Sequence, residues 1–193
     1  MLNIVLAETE MQYQQVRELL SELSAWDTAQ VNRLGLDAQA AMDFYYSSGE
    51  EELPSVYAAP GGRLFLATCS GKAAGCGALR RMTADTCELK RMYVRPEFRG
   101  KQIGRQLAER VILAAIEAGY SVMRLETTTY MDKAMAMYSA LGFQTCLPYY
   151  MIPEGFRKIT VHMEMNLAKR RDVKESEIKN YQRRKRLSGR TPE

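Results

Sequence analysis

The sequence of 193 residues predicts an α/β (α+β) fold: a mixed, mostly antiparallel central sheet flanked by helices, with a basic C-terminal tail. Three observations carry this reading. Segments 63–69, 73–81 and 87–94 are apolar runs of strand length separated only by turns, as in antiparallel hairpins. Beyond them the strands at 121–127 and 143–146 each follow a segment of helical period, which lays helices against a sheet. From residue 168 onward apolar residues become sparse and charge dominates.

Taken in order, residues 2–7 (LNIVLA) read as a first strand. Residues 8–26 carry Met11, Val16, Leu19, Leu20 and Leu23 on one side, an amphipathic helix. A second, short helix spans 37–46, and the acidic run 49–54 (GEEELP) reads as a surface loop. Tyr57-Ala-Ala-Pro-Gly-Gly is a turn that launches the strand 63–69. Ser70-Gly71-Lys72 then forms a hairpin connection into the returning strand 73–81. Gly75 and Gly77 weaken that strand, and such glycines mark close backbone approach. Strand 87–94 (CELKRMYV) stops at Pro96, which lacks the N–H a ladder needs. The helix that follows has Ile103, Leu107, Val111, Ala114 and Ala118 along one side. After the strand 121–127, a helix over 130–141 presents Ala134, Met137, Tyr138 and Leu141, with Gly142 as its natural C′ residue. Residues 143–146 resume a strand, 148–155 form a loop, and 159–167 (ITVHMEMNL) alternate as a final strand.

Composition narrows the function classes. An apolar fraction of 46% suits a soluble globule, and no apolar run approaches the roughly 18 residues of a membrane span. The N-terminus carries acid where a secretory signal has a basic region. Cys69, Cys76, Cys87 and Cys146 have no CxxC spacing and read as reduced core thiols, which with the missing signal points to the cytoplasm. His162 is the only histidine, on the polar side of the last strand with Thr160 and Glu164. It supports neither a zinc site nor a Ser-His-Asp triad and reads as structural. Residues 1–167 hold 17 Lys+Arg and 19 Asp+Glu, a net of −2. Residues 168–193 hold 10 and 4, a net of +6, so the overall +4 belongs to the tail.

The chemistry concentrates between 87 and 119. A strand feeding a helix through the basic turn Arg99-Gly100-Lys101-Gln102-Ile103-Gly104 presents free backbone N–H groups at a positive dipole end, a cradle for phosphate. Neither the P-loop string GxxxxGK[ST] nor the dinucleotide turn GxGxxG is present there. The turn resembles the cofactor motif [QR]xxGx[GA] of the GNAT superfamily of acetyl-CoA-dependent N-acetyltransferases, with Gln102 in place of the middle glycine. The element order, the run Glu88-Leu-Lys-Arg-Met-Tyr-Val94 and Tyr138-Ser-Ala-Leu-Gly-Phe143 are similar to the same family. The resemblance covers residues 1–167 and divides the chain into that domain and a tail, 168–193, disordered or marginally helical.

The resemblance implies a splayed pair of central strands and acetyl-CoA as cofactor. Met92, Tyr93 and Val94 would lie along the pantetheine arm, with backbone contacts from Met92 and Val94. Arg99, Gly100, Lys101, Gln102, Ile103, Gly104 and Arg105 would hold the phosphates. It implies that the Val94 N–H polarises the thioester carbonyl and that Tyr138 protonates the leaving thiolate. Glu88 is the leading candidate for the base that takes the amine proton, and alternation along its strand puts it on the side of Met92 and Val94; Glu126 is the second candidate. Each of these residues also has a structural reading, as core packing or a solvated charge. The implied function is N-acetylation of a primary amine, small molecule or peptide, by direct transfer in a ternary complex. The acceptor walls would come from 27–60 and 147–157, including Tyr45, Tyr46, Tyr57, Tyr149 and Tyr150. The alternative is a catalytically inactive acyl-CoA-binding module that docks nucleic acid or another polyanion through its tail. Nothing in the sequence fixes the oligomeric state; a homodimer is compatible with it.

Overall fold

The computed structural model describes residues 1–46 and 53–170; the acidic run at 50–52 and the tail from 171 lie outside the described residues. Seven strands form one sheet: β1 (Leu2–Leu6), β2 (Arg63–Cys69), β3 (Lys72–Arg81), β4 (Thr86–Val94), β5 (Val122–Thr128), β6 (Gln144–Thr145) and β7 (Thr160–Asn166). Their order across the sheet is β1-β2-β3-β4-β5-β7-β6, and every pairing is antiparallel except β4 with β5. Flanking it are the helices α1 (Glu10–Arg33), α2 (Ala38–Tyr45), α3 (Leu53–Val56), α4 (Ile103–Glu117) and α5 (Asp132–Ala140). This is the mixed, mostly antiparallel sheet with flanking helices that the sequence predicts.

The elements begin and end for local reasons. Thr9 caps α1, its side chain accepting from the Gln12 N–H while the Gln12 side chain accepts from the Thr9 N–H. Asp37 caps α2 in the same manner through the Ala40 N–H. The β2–β3 hairpin turns on Ser70 and Gly71, both at positive φ (50° and 79°), which suits the right-handed twist of the flanking strands. Two differences from the sequence reading stand out. Helix α1 runs on to Arg33 because Asp27 and Val31 prolong its buried stripe onto a separate small core with Ala41, Tyr45 and Phe156. A short helix, α3, occupies part of the expected loop and buries Leu53.

Helices cover both faces of the sheet. On one face Leu107, Val111 and Ile112 of α4 pack on Phe65, Leu79, Leu89, Met123 and Leu125. On the other, Val16, Leu19 and Leu20 of α1 pack on Leu66, Cys76 and Tyr93. Cys76 and Cys87 are buried, Cys69 and Cys146 partly so, and all four are free. His162 is buried, between the rings of Tyr149 and Tyr150 at 4.5 and 4.8 Å.

The irregularity that shapes the site is in β4. Tyr93 pairs with Cys76 and Lys90 with Ala78, so Arg91 and Met92 together oppose Gly77. This is a β-bulge, and Arg91 takes the inserted, left-handed position at φ 57°. The bulge reverses which face the strand presents. Leu89 lies in the α4 core, Met92 and Val94 pack against that same core, and Tyr93 belongs to the core under α1. Glu88 therefore faces α1, opposite to Met92 and Val94, and the expectation that simple alternation puts all three on one side is corrected. Gly75 and Gly77 let β3 follow the bulge: a methyl on Gly75 would collide with the Tyr93 carbonyl, and one on Gly77 would meet Met92 Sδ at 2.6 Å.

Gly75→Ala should therefore cost about 1–3 kcal/mol in urea unfolding, because the obstacle is backbone and cannot rotate away. Gly155→Ala, with nothing within 4 Å of the added carbon, should stay within about 0.5 kcal/mol.

Candidate active site

Strands β4 and β5 pair in parallel from Thr86–Val122 to Leu89–Leu125 and then separate, although β4 continues to Val94 and β5 to Thr128. The bulge at Arg91 begins just past the last pair and steers β4 along β3. Arg95 N–H bonds to the Ala74 carbonyl of β3 at 3.0 Å. Backbone groups alternate along a strand, so the N–H groups of Val94 and Met92 face the gap. A parallel pair that opens in this way leaves a slot lined by unpaired main-chain donors and acceptors.

One end of the slot meets the basic turn. Pro96–Phe98 form a single 3-10 turn, Gly100 and Gln102 sit at positive φ (77° and 63°), and α4 begins at Ile103. The first helical bond runs from the Gln106 N–H to the Gln102 carbonyl at 3.0 Å. The N–H groups of Ile103, Gly104 and Arg105 thus have no acceptor inside the helix. Gln102 holds the left-handed conformation that a glycine adopts without strain, which explains what a glycine at that place would offer. Gly104 seats the turn closely, since a methyl there would lie 3.6 Å from Val94 and 3.7 Å from Met137. Arg99, Lys101 and Arg105 are exposed around this turn. Arg99 Nε donates to the Val94 carbonyl at 3.0 Å, and Arg105 pairs with Glu109 at 2.9 Å. Two arginines just before the turn point elsewhere: Arg95 pairs with Glu22 of α1 at 2.8 Å, and Arg91 is buried.

The other end of the slot opens into a cleft of about 90 Å³. It is lined by Lys90, Arg91 and Met92 of β4, by Glu126 and Thr128 of β5, by Asp27 of α1, by Tyr45 and Tyr46 at the end of α2, and by Tyr138 of α5. Tyr138 is almost wholly buried, packs edge-on against Phe143 at 5.9 Å, and has its hydroxyl pKa raised by burial, so it keeps its proton. Of the tyrosines expected in the acceptor walls, Tyr45 and Tyr46 line the cleft, Tyr57 is buried under α1, and Tyr149 and Tyr150 pack on His162.

The two candidate bases occupy different places. Glu88 is fully buried, paired with Arg80 at 2.6 Å, and accepts from the Tyr149 hydroxyl at 3.1 Å. Glu126 lines the cleft itself, and its side chain is 7% exposed. Lys90 connects them, 3.9 Å from Glu88 and 3.8 Å from Glu126. Burial pushes the Glu126 carboxyl up to about 7, more than Lys90 pulls it down.

Two charged cleft residues were given no place in the cleft by the sequence reading: Asp27 and Arg91. Asp27 had a signal, since it falls on the buried stripe Val16, Leu19, Leu20, Leu23, Val31 of α1. A carboxylate on an apolar stripe is buried for a reason. Its carboxyl pKa is raised by burial, against hydrogen bonds from Tyr130 and Tyr46.

Glu126 titrates near 4.5 when solvated and near 7 in the fold. Its contribution to stability is complete below pH 4.5 and lost as pH rises through 7. Glu126→Gln should remove that share of the slope, gaining on the order of 3 kcal/mol over the wild type between pH 5 and 8 in paired urea titrations.

Comparison with known proteins agrees with this architecture. The acetyltransferase (GNAT) family model matches residues 34–143, more than half of the chain. The chain is 36% identical over 117 residues to an uncharacterized N-acetyltransferase of Schizosaccharomyces pombe, covering 58% of this chain and 72% of that protein. It is 40% identical over 111 residues to an IAA acetyltransferase of Azospirillum brasilense, covering 57% and 71%. Among solved structures, an acetyltransferase from Streptococcus agalactiae superposes with a TM-score of 0.66 at 20% identity, over 86% of this chain and 98% of that one. A Salmonella typhimurium structure solved with its cofactor acetyl-CoA gives 0.58 at 18% identity, over 86% and 94%. At those identities the two structures speak for the fold alone. With the family model spanning more than half of its length and the slot and turn in place, this chain belongs to the GNAT acetyltransferase family.

Proposed function

We propose that the protein is an acetyl-CoA-dependent N-acetyltransferase that transfers the acetyl group directly to a primary amine in a ternary complex. The observation that carries this is the slot between β4 and β5, which joins a helix N-terminus suited to phosphates to a buried cleft that holds a carboxylic acid and a phenol. Residues 1–167 form the catalytic unit in this reading.

The residues present fit coenzyme A. The free N–H groups at the start of α4, with Arg99, Lys101 and Arg105 around them, take the phosphates. The main chain of Met92, Tyr93 and Val94 lies along the pantetheine, and the Val94 N–H donates to the thioester carbonyl as negative charge develops there. When bound, acetyl-CoA supplies the activated acyl group.

Glu126 is the better base. It lines the cleft, and a carboxyl near pH 7 accepts a proton from an ammonium without holding it too weakly to matter. Glu88, bonded to Arg80 and Tyr149, lies 3.9 Å from Lys90, away from the reacting end of Glu126. In the transfer, Glu126 takes one proton from the ammonium, and the amine nitrogen forms a bond to the acetyl carbon. The carbon–sulfur bond then breaks, and Tyr138 gives its proton to the departing thiolate. The nitrogen gives up its second proton as the amide forms, and that proton returns Tyr138 to its neutral form, directly or through solvent, while Glu126 releases the first to solvent.

Acetyl-CoA at a hundredfold excess over Kd should add about 2.7 kcal/mol to stability, raising Tm by roughly 5–10 °C. A melting temperature indifferent to acetyl-CoA would refute the reading. Tyr138→Phe should lower thiol release about a hundredfold while leaving the acetyl-CoA Kd unchanged; undiminished turnover would remove Tyr138 as the acid. Stabilisation by acetyl-CoA without thiol release across an amine panel would instead identify a binding module.

A further inference from the structure

Acetyl transfer leaves a second set of basic residues unused, at the end of the sheet opposite the turn. Val94, which leads into the turn, pairs with Gly75. At the far end of the same strands Arg63 pairs with Leu79, Arg81 with Cys87, and Val122 with Asn166. Hydrogen bonds knit that end into one surface. The Leu167 N–H donates to the Ser121 carbonyl at 2.8 Å, and the neighbouring Tyr120 hydroxyl donates to the Gly61 carbonyl at 2.8 Å. Arg63 holds the same loop, donating to the Gly62 carbonyl at 2.6 Å, and a methyl on Gly61 would lie 3.2 Å from the Arg81 side chain. Arg81 is exposed, as are Lys169 and Arg170 just past Leu167. Among the described residues, none of these four cations has a carboxylate within 4.0 Å. Asp85 joins this end through its carbonyl on the Ser121 N–H, but its carboxylate is occupied by the hydroxyls of Thr83 and Thr86.

The chain leaves from this same end, and its remaining sequence adds Arg171, Lys174, Lys179, the run Arg183-Arg-Lys-Arg186 and Arg190. Arginine predominates, and its planar fork matches phosphate oxygens. Tyr181 is the one aromatic residue of that segment, where binding of a single strand needs several to stack bases. Val173, Ile178 and Leu187 are too sparse for the apolar face of a membrane-seated helix. A duplex carries one charge per roughly 1.7 Å of its axis and so meets a charged surface and its charged extension together. We propose that the sheet end with Arg63 and Arg81, continued by Lys169, Arg170 and the basic sequence beyond, binds the phosphate backbone of duplex nucleic acid without reading its bases. The turn at the other end of the sheet stays open to acetyl-CoA meanwhile. The inference stands apart from the acetyltransferase reading, because no residue is shared between the two sites.

The full chain is titrated onto a fluorescent DNA duplex of about 20 base pairs over a range of salt, with and without saturating acetyl-CoA. The Kd should be on the order of 1 μM at physiological salt, and the logarithm of affinity should fall against that of salt with a slope of about −5 or steeper. Acetyl-CoA should leave the duplex bound. Arg63→Gln with Arg81→Gln should flatten the slope by about 2, and Lys169→Gln with Arg170→Gln by the same amount. The second pair changes only exposed side chains, so the surface is tested even where the first pair does not fold. A Kd weaker than about 100 μM at physiological salt overturns the inference. So does a slope that neither pair moves, displacement of the duplex by acetyl-CoA, or a phosphatidylglycerol vesicle that outcompetes the duplex.

Discussion

One inserted residue in a central strand governs the working half of this molecule. The bulge at Arg91 gives β4 an extra residue against β3, and the strand that results follows β3 and leaves β5. The slot, the donors that face it and the cleft at its end all follow from that departure. Had the pairing continued past Leu89–Leu125, the main chain of Met92 and Val94 would be spent on a ladder. Gly75 and Gly77 are the counterpart of the bulge on β3, since side chains there would push β4 back. A structural irregularity in one strand is thus supported by two small residues in its neighbour.

The bulge also separates two environments on one strand. Before it, Glu88 and Lys90 face α1 and join Arg80, Glu126 and Tyr149 in a buried polar network. After it, Met92 and Val94 face α4 and the turn. Buried ionic groups of this kind add little net stability, because desolvation offsets their attraction. Their effect is on protonation: with Glu88 occupied by Arg80, Glu126 is left with a distant lysine and the cost of burial, which lifts it to about 7. A phenol held neutral and a carboxyl poised near neutrality thus border the same space, one able to give a proton and the other to take one.

Sequence reading reached far where the cause is local. The turn at 99–104 announces itself by composition, and its geometry is settled by two glycines and the helix that follows. Helix α4 shows its buried side through Ile103, Leu107 and Val111, and Gly142, at φ 99°, stops the chain after α5. The reading failed where one residue moved the frame. Alternation placed Glu88 with Met92 and Val94, and nothing in CELKRMYV marks the inserted residue. Helix α1 looked complete at Trp26 because the next residue of its stripe is an aspartate, a type that simple patterning counts as exposed. His162, read as structural, is one: Tyr149 and Tyr150 cover it on the polar side of β7.

The sequence alone determined the strand–turn–helix that suits phosphate, the order of the elements and the resemblance that named the family. These rest on period, caps and turn residues, which act within a few positions of themselves. Only the tertiary structure decided that Asp27, from one end of the chain, meets Glu126 and Tyr138 from the other, and that Glu126 rather than Glu88 faces the cleft. Burial and facing are set by packing across strands and by the bulge, and a linear pattern carries no record of a partner far away in the chain. The turn at 99–104 now reads as the entrance of a slot whose character is fixed at its other end.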